Sequence, residues 1–138
     1  MSREPVKPIE MNRLRIRARW FQITGILIVF QFLLGGLVSN NVINPLYHIV
    51  LGFVVLAIVL ATMVVAIFSK PSLRSLKLGS VLLVVLLVLQ VPLGFALLDS
   101  DTPLLSFVHI ANAIAILLTA FVSYFVARGW EKKSVLKV

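Results

Sequence analysis

Two glutamines and two histidines stand in this chain as if one phrase had been written twice. Gln31-Phe-Leu-Leu-Gly35 recurs as Gln90-Val-Pro-Leu-Gly94, and each copy leads into a short polar loop, a proline and a single histidine. The separation is 17 residues from Gln31 to His48 and 19 from Gln90 to His109, and these are the only 2 histidines. Neutral imidazole is a metal ligand. A pair without carboxylate or thiolate partners is poor provision for zinc, which takes three or four protein ligands. Haem iron needs only two axial nitrogens on opposite sides of a plane, and facing helices of a bundle supply them. Two plainer readings stay open beside this one: structural histidines that bond between helices, and a role with another metal or a quinone.

The elements that must position these residues follow from composition. The chain has 138 residues, 60% of them hydrophobic, and a mean hydropathy of +1.07, well above the roughly 45–50% apolar content of soluble domains. Its apolar residues gather in four runs, at 21–38, 46–68, 78–98 and 104–127, and none contains a Lys, Arg, Asp or Glu. Each approaches or exceeds the ~20 residues needed to cross a ~30 Å hydrocarbon layer. Continuous apolar runs in lipid mean helices, which satisfy their own backbone. The expected fold is therefore all-α and integral to the membrane: a four-transmembrane-helix bundle made of two pseudo-symmetric helical hairpins. Residues 1–138 read as a single membrane domain, with a basic N-terminus at 1–19 and a tail at 128–138.

Charge gives an orientation. All 13 basic residues lie before the first run, between the second and third, or after the fourth; the loops Ser39–Pro45 and Asp99–Pro103 carry none. By the positive-inside rule both termini are cytoplasmic, in a multi-pass protein of the plasma membrane, and the loops leading into the histidines face outward. The formal net charge of +8 then reflects topology and attraction to anionic membrane lipids, not nucleic-acid binding. Trp20 and Trp130 fall at the inner interface, and Met11–Trp20 continues the first helix through the headgroups. The basic N-terminus is not read as a secretory signal, since no small-residue cleavage site follows the apolar run. With 0 cysteines, disulfides, covalent haem attachment and thiolate-held clusters are excluded.

Asn44-Pro45 and Thr102-Pro103 have the form of helix starts, with a capping side chain before proline. At 1.5 Å per residue, His48 lies about 4.5 Å and His109 about 9 Å beyond those prolines, in the outer third of the bilayer. Gly52 and Ala113 follow the histidines by four residues, on the same face, and leave room for a flat ligand against the backbone. Gly35, Gly36 and Gly94 do likewise near the ends of the first and third helices. Gln31 and Gln90 read either as interhelical glue or as groups that position a haem or another ligand. Tyr47 reads as an interface anchor, and Asn112 as a residue able to bond a neighbouring helix, without assigned chemistry.

The doubled pattern resembles one four-helix half of the haem A synthase family: an apolar helix ending Gln-x-x-Leu-Gly, an outer loop, then a helix opening with His and a small residue four on. The resemblance covers about residues 20–128. That family has eight helices in two similar halves, each with a histidine pair on its second and fourth helices, and half-size archaeal members are known. The resemblance implies that His48 and His109 are the ligands of one haem b. The catalytic half of that family carries a glutamate three residues before its first haem histidine, where this chain has Pro45. The likeness is thus closer to the haem b-holding, non-catalytic half.

These residues lead to a membrane b-type cytochrome-like protein, with bis-histidine iron, transferring electrons as a subunit or partner of a respiratory or oxidoreductase complex. One alternative is a half-size haem A synthase, converting haem O to haem A in oxidase assembly. The other is a haem-free structural accessory subunit of a membrane complex. The partners expected are membrane lipids, subunits of such a complex or a second copy of the chain, and a quinone; no lysine or arginine on the histidine side is there to neutralise a haem's carboxylates, which favours a cation from a neighbour.

Overall fold

A computed structural model describes residues 8–69, 72–100 and 102–135; Arg3, Lys7, Lys70, Asp101 and Lys137 of the charge pattern above lie outside them. Four helices follow one another: α1 (Pro8–Ser39), α2 (Pro45–Phe68), α3 (Arg74–Asp99) and α4 (Pro103–Val135). Each is long and apolar enough to cross a membrane. The helices outrun the apolar stretches because a helix need not stop where the lipid does. α1 and α4, with 32 and 33 residues, carry their charged turns beyond the hydrocarbon layer.

Local chemistry sets the ends that matter here. α1 ends at Ser39, and Asn41 just beyond it is the one described non-glycine residue with positive φ (57°). Val42 N donates to Leu37 O and Asn41 N to Val38 O, both at 2.9 Å, the paired bonds of a left-handed helix stop that asparagine tolerates better than most side chains. Asn44 Oδ1 accepts from Leu46 N at 2.8 Å, and Pro45 opens α2. Thr102 Oγ1 accepts from Leu105 N at 3.3 Å at the start of α4. Both caps stand just before the helices that carry the histidines. Pro92 lies within α3; it cannot donate to the turn before it.

The helices form a ring. α1 packs on α2 and α4, α3 packs on α2 and α4, and among the described residues no packing joins α1 to α3 or α2 to α4. α2 and α4 are therefore diagonal partners across the bundle. The interior is layered. Near the arginine-bearing end lie Leu14, Ala18, Phe21, Ala66, Leu73, Leu76 and Ala127. A second apolar layer joins Ile28, Val55, Val59, Leu83, Leu87, Ile116 and Ala120. Between the two, each helix contributes one buried hydroxyl residue: Thr24, Thr62, Ser80 and Ser123. Thr24 and Thr62 bond through their hydroxyls at 2.8 Å, while Thr62 donates to Ile58 O and Ser80 to Lys77 O. A polar layer of this kind fixes the register of helices that lipid alone would let slide.

Large apolar side chains face outward all round, among them Phe30, Phe53, Phe68, Phe107 and Phe125. In water such a surface would aggregate; in lipid it is the matching face.

Candidate functional site

The buried core stops short of one end. Beyond Ile28 on α1, before Val55 on α2, beyond Leu87 on α3 and before Ile116 on α4, no described residue is buried. This third of the bundle holds His48 and His109, both half-buried. Since α2 and α4 are diagonal, the two imidazoles come from opposite corners of the ring.

Each imidazole is held by the glutamine of its own hairpin. Gln31 Nε2 donates to the His48 backbone carbonyl at 2.9 Å and lies 3.4 Å from His48 Nε2. Gln90 Nε2 donates to the His109 carbonyl at 3.2 Å and lies 3.0 Å from His109 Nε2. The carbonyl bond orients the amide with nitrogen inward, so each ring Nε2 meets a donor and must itself be the acceptor. The ring proton then sits on Nδ1. Both Nδ1 atoms are buried without a hydrogen-bond partner, as is Gln31 Oε1, and an unsatisfied buried donor or acceptor costs ~1–3 kcal/mol.

The small residues serve these side chains. A Cβ on Gly35 would lie 3.1 Å from His48 Cε1, and one on Gly94 would lie 3.4 Å from His109 Cε1. A Cβ on Gly52 would lie 3.0 Å from Gln31 Nε2. The glycine spaces thus admit the imidazole edges and a glutamine amide. Gly36 faces open space, and Ala113 lies half-buried one turn below His109. Tyr47 is exposed.

The sequence marked Asn112 as able to bond a neighbouring helix, and the structure shows that bond. Asn112 Nδ2 donates to Leu86 O at 3.0 Å and to Gln90 Oε1 at 2.5 Å, so that Asn112, Gln90 and His109 form one chain. The signal was its place three residues after His109, on the face turned to the preceding helix. The other hairpin has Leu51 there, and Gln31 Oε1 is left over. The two halves are alike in plan and unequal in polar support. Gln90→Leu should therefore destabilise the protein more than Gln31→Leu, by ~0.5–2 kcal/mol on the scale of membrane hydrogen bonds. Thermal unfolding in detergent measures both, and equal losses would deny the asymmetry any weight.

Among the described residues no three or more of His, Cys, Asp and Glu gather where they could hold a metal ion. Two imidazoles suffice only for a metal that arrives with its own equatorial ligands. A haem does, and two observations bear on it: the imidazoles stand on diagonal helices, and no described residue around them is fully buried. The nitrogen with the lone pair, Nε2, is the one each glutamine amide meets, so ligation requires the ring to turn from that amide or its proton to leave Nδ1. The glutamine bonds to backbone do not depend on the ring nitrogens, so they would persist if an imidazole turned to a metal. No family model, no curated protein and no solved structure matches this chain.

Proposed function

We propose that this multi-pass membrane protein is a b-type cytochrome-like electron carrier that holds one haem b between His48 and His109. The observation that carries the reading is the pair of imidazoles on diagonal helices, in the third of the bundle where no described residue is fully buried. When bound, the haem supplies a one-electron iron couple. The chain's residues do the rest. Gln31 and Gln90 restrain the imidazole planes, Gly35 and Gly94 let the rings lie close to α1 and α3, and the apolar layer from Ile28 to Ile116 excludes water from below. With both imidazoles as ligands the iron would have no position left for a substrate, which would suit electron transfer within a respiratory or oxidoreductase complex. A second copy of the chain or a subunit of that complex is the partner this role requires, with a quinone as a candidate redox partner.

The half-size haem A synthase reading is weaker because residues 20–127 offer only Asp99 and Asp101 as acids, and Pro45 stands where that family's glutamate would be. A haem-free accessory subunit is favoured by one specific observation: the glutamine clamps already tie each histidine within its hairpin. Purification of the full chain and an oxidised-minus-reduced spectrum, with extraction of the pigment, decides among these. A red protein with a low-spin bis-imidazole spectrum and extractable haem b is expected. A colourless protein that takes up no added haem leaves the accessory reading. Conversion of supplied haem O to haem A would establish the synthase.

The distribution of basic residues supports a plasma-membrane protein with both termini in the cytoplasm. A reporter fused after Val138 should then read cytoplasmic, and one inserted at Asn41 external. The reverse pattern would overturn the orientation, and with it the placement of the haem near the outer face.

A further inference from the structure

At the end opposite the histidines, α1 and α4 enclose a cleft of about 260 Å³ lined by Arg15, Ala18, Arg19, Gln22, Arg128 and Glu131. One ordered water needs only ~10–15 Å³ on this measure, so the cleft has room for a polyatomic group. The α1 residues stand at i, i+3, i+4 and i+7, one continuous stripe. Ala18, buried at the centre of that stripe, is why there is a hollow at all: a larger side chain would close it.

The charges inside do not cancel. Glu131, only 13% exposed, takes a 2.8 Å bond from Arg128 Nη1 and lies 3.8 Å from Arg15 Nε. One carboxylate thus faces two guanidinium groups, and Arg19, which takes part in neither ion pair, adds a third. The lining carries a net charge of about +2. Arg15 is 53% exposed and Arg128 44%, and the Arg15 Nε–Glu131 contact is a long 3.8 Å. Planar, forked donors of this kind match the oxygens of a phosphoryl group. Trp20 and Trp130 on the same two helix ends mark the level of the headgroups.

We propose that the α1–α4 cleft is a binding site for a phosphoryl group, supplied by the headgroup of an anionic phospholipid. Arg15 and Arg19 hold the phosphate oxygens, Gln22 and Arg128 add donors, and Glu131 keeps the guanidinium groups spread. The place of the cleft between two helix ends of a bundle whose outer face is apolar favours a lipid over phosphate from solution, and the site is independent of the haem reading. Basic recesses between transmembrane helices bind such headgroups.

The test is native mass spectrometry of the full chain in detergent with equal amounts of phosphatidylglycerol and phosphatidylcholine. Selective retention of phosphatidylglycerol is expected, and retention without preference overturns the proposal. Arg15→Gln with Arg19→Gln should lower that retention about tenfold or more, the scale of one lost charge-assisted bond. Arg19→Gln alone should lower it in part, with the ion pairs intact and the far-UV helical signal unchanged. Arg13→Gln with Arg74→Gln removes the same charge from the same end of the bundle but outside the cleft; an equal loss there would reduce the effect to bulk attraction and refute a site. Excess inorganic phosphate should not displace the lipid. Full displacement would identify a site for free phosphate and overturn the choice of a lipid.

Discussion

Replacing either histidine by alanine is expected to abolish the low-spin haem spectrum of the purified protein while leaving insertion and helicity intact. His48→Ala and His109→Ala each remove one axial nitrogen, and neither hairpin contains another histidine, nor the chain a cysteine, to take its place. Membrane insertion depends on apolar runs that neither change interrupts. The folded bundle should also survive, because the buried layers from Leu14 to Ala127 and from Ile28 to Ala120 are built from other residues. Each substitution even removes a buried Nδ1 that has no partner, which offsets part of the lost contact with glutamine. The measurement is the reduced spectrum of each variant at matched protein concentration. An unaltered spectrum in either would exclude ligation by two imidazoles.

The second large effect is steric and tests the same site through a residue with no chemistry of its own. Gly35→Leu places a Cβ 3.1 Å from His48 Cε1, with a branched side chain beyond it, so the imidazole must leave its place against α1. Forcing atoms into a close-packed site costs ~1–3 kcal/mol, and tenfold in affinity corresponds to ~1.4 kcal/mol. Haem retention should fall about tenfold or more. Gly36→Leu is the control one residue along: nothing lies within 4 Å of its Cβ, and that variant should bind as the native chain does. Gly94→Leu should fall between the two, since its Cβ clears His109 Cε1 by 3.4 Å. Titration of haem into the three purified variants gives the ranking; equal behaviour of Gly35→Leu and Gly36→Leu would show that the ring does not need its seat on α1.

If Gly35 and Gly94 prove unequal in this way, the inequality continues a theme of the molecule. The hairpins repeat a plan, with glutamine on the first helix and histidine on the second, yet Asn112 braces only one of them. A haem between such supports would have one firmly oriented ligand and one with more freedom. That is a physical reason for an internal repeat to keep different residues at equivalent positions.

What the amino-acid sequence alone determined is what depends on solvent and on length. Four uncharged apolar runs dictate four helices, because lipid offers the backbone no other partner, and the proline-led starts at Pro45 and Pro103 agree with it to within a residue. The matched spacing of Gln31 to His48 and Gln90 to His109 also showed which residues belong together, since an antiparallel hairpin returns to the same level after a fixed length of chain. Only the tertiary structure decided how they meet. Sequence could place Gln31 and Gln90 as glue or as ligand-positioning groups; their bonds to the histidine carbonyls arise from the rotation of each helix about its axis. Gly35, Gly94 and Gly52, which looked like space for a flat ligand, face an imidazole or an amide, while Gly36 faces open space, because the rotation of each helix decides which glycine a neighbouring side chain reaches. The burial of Arg17 and Ala18 within a stretch read as helix passing through the headgroups, and the cleft that Ala18 lines, were decided by the packing of the helices. Periodicity names the face of a helix, but the neighbour that covers it is chosen by the whole bundle.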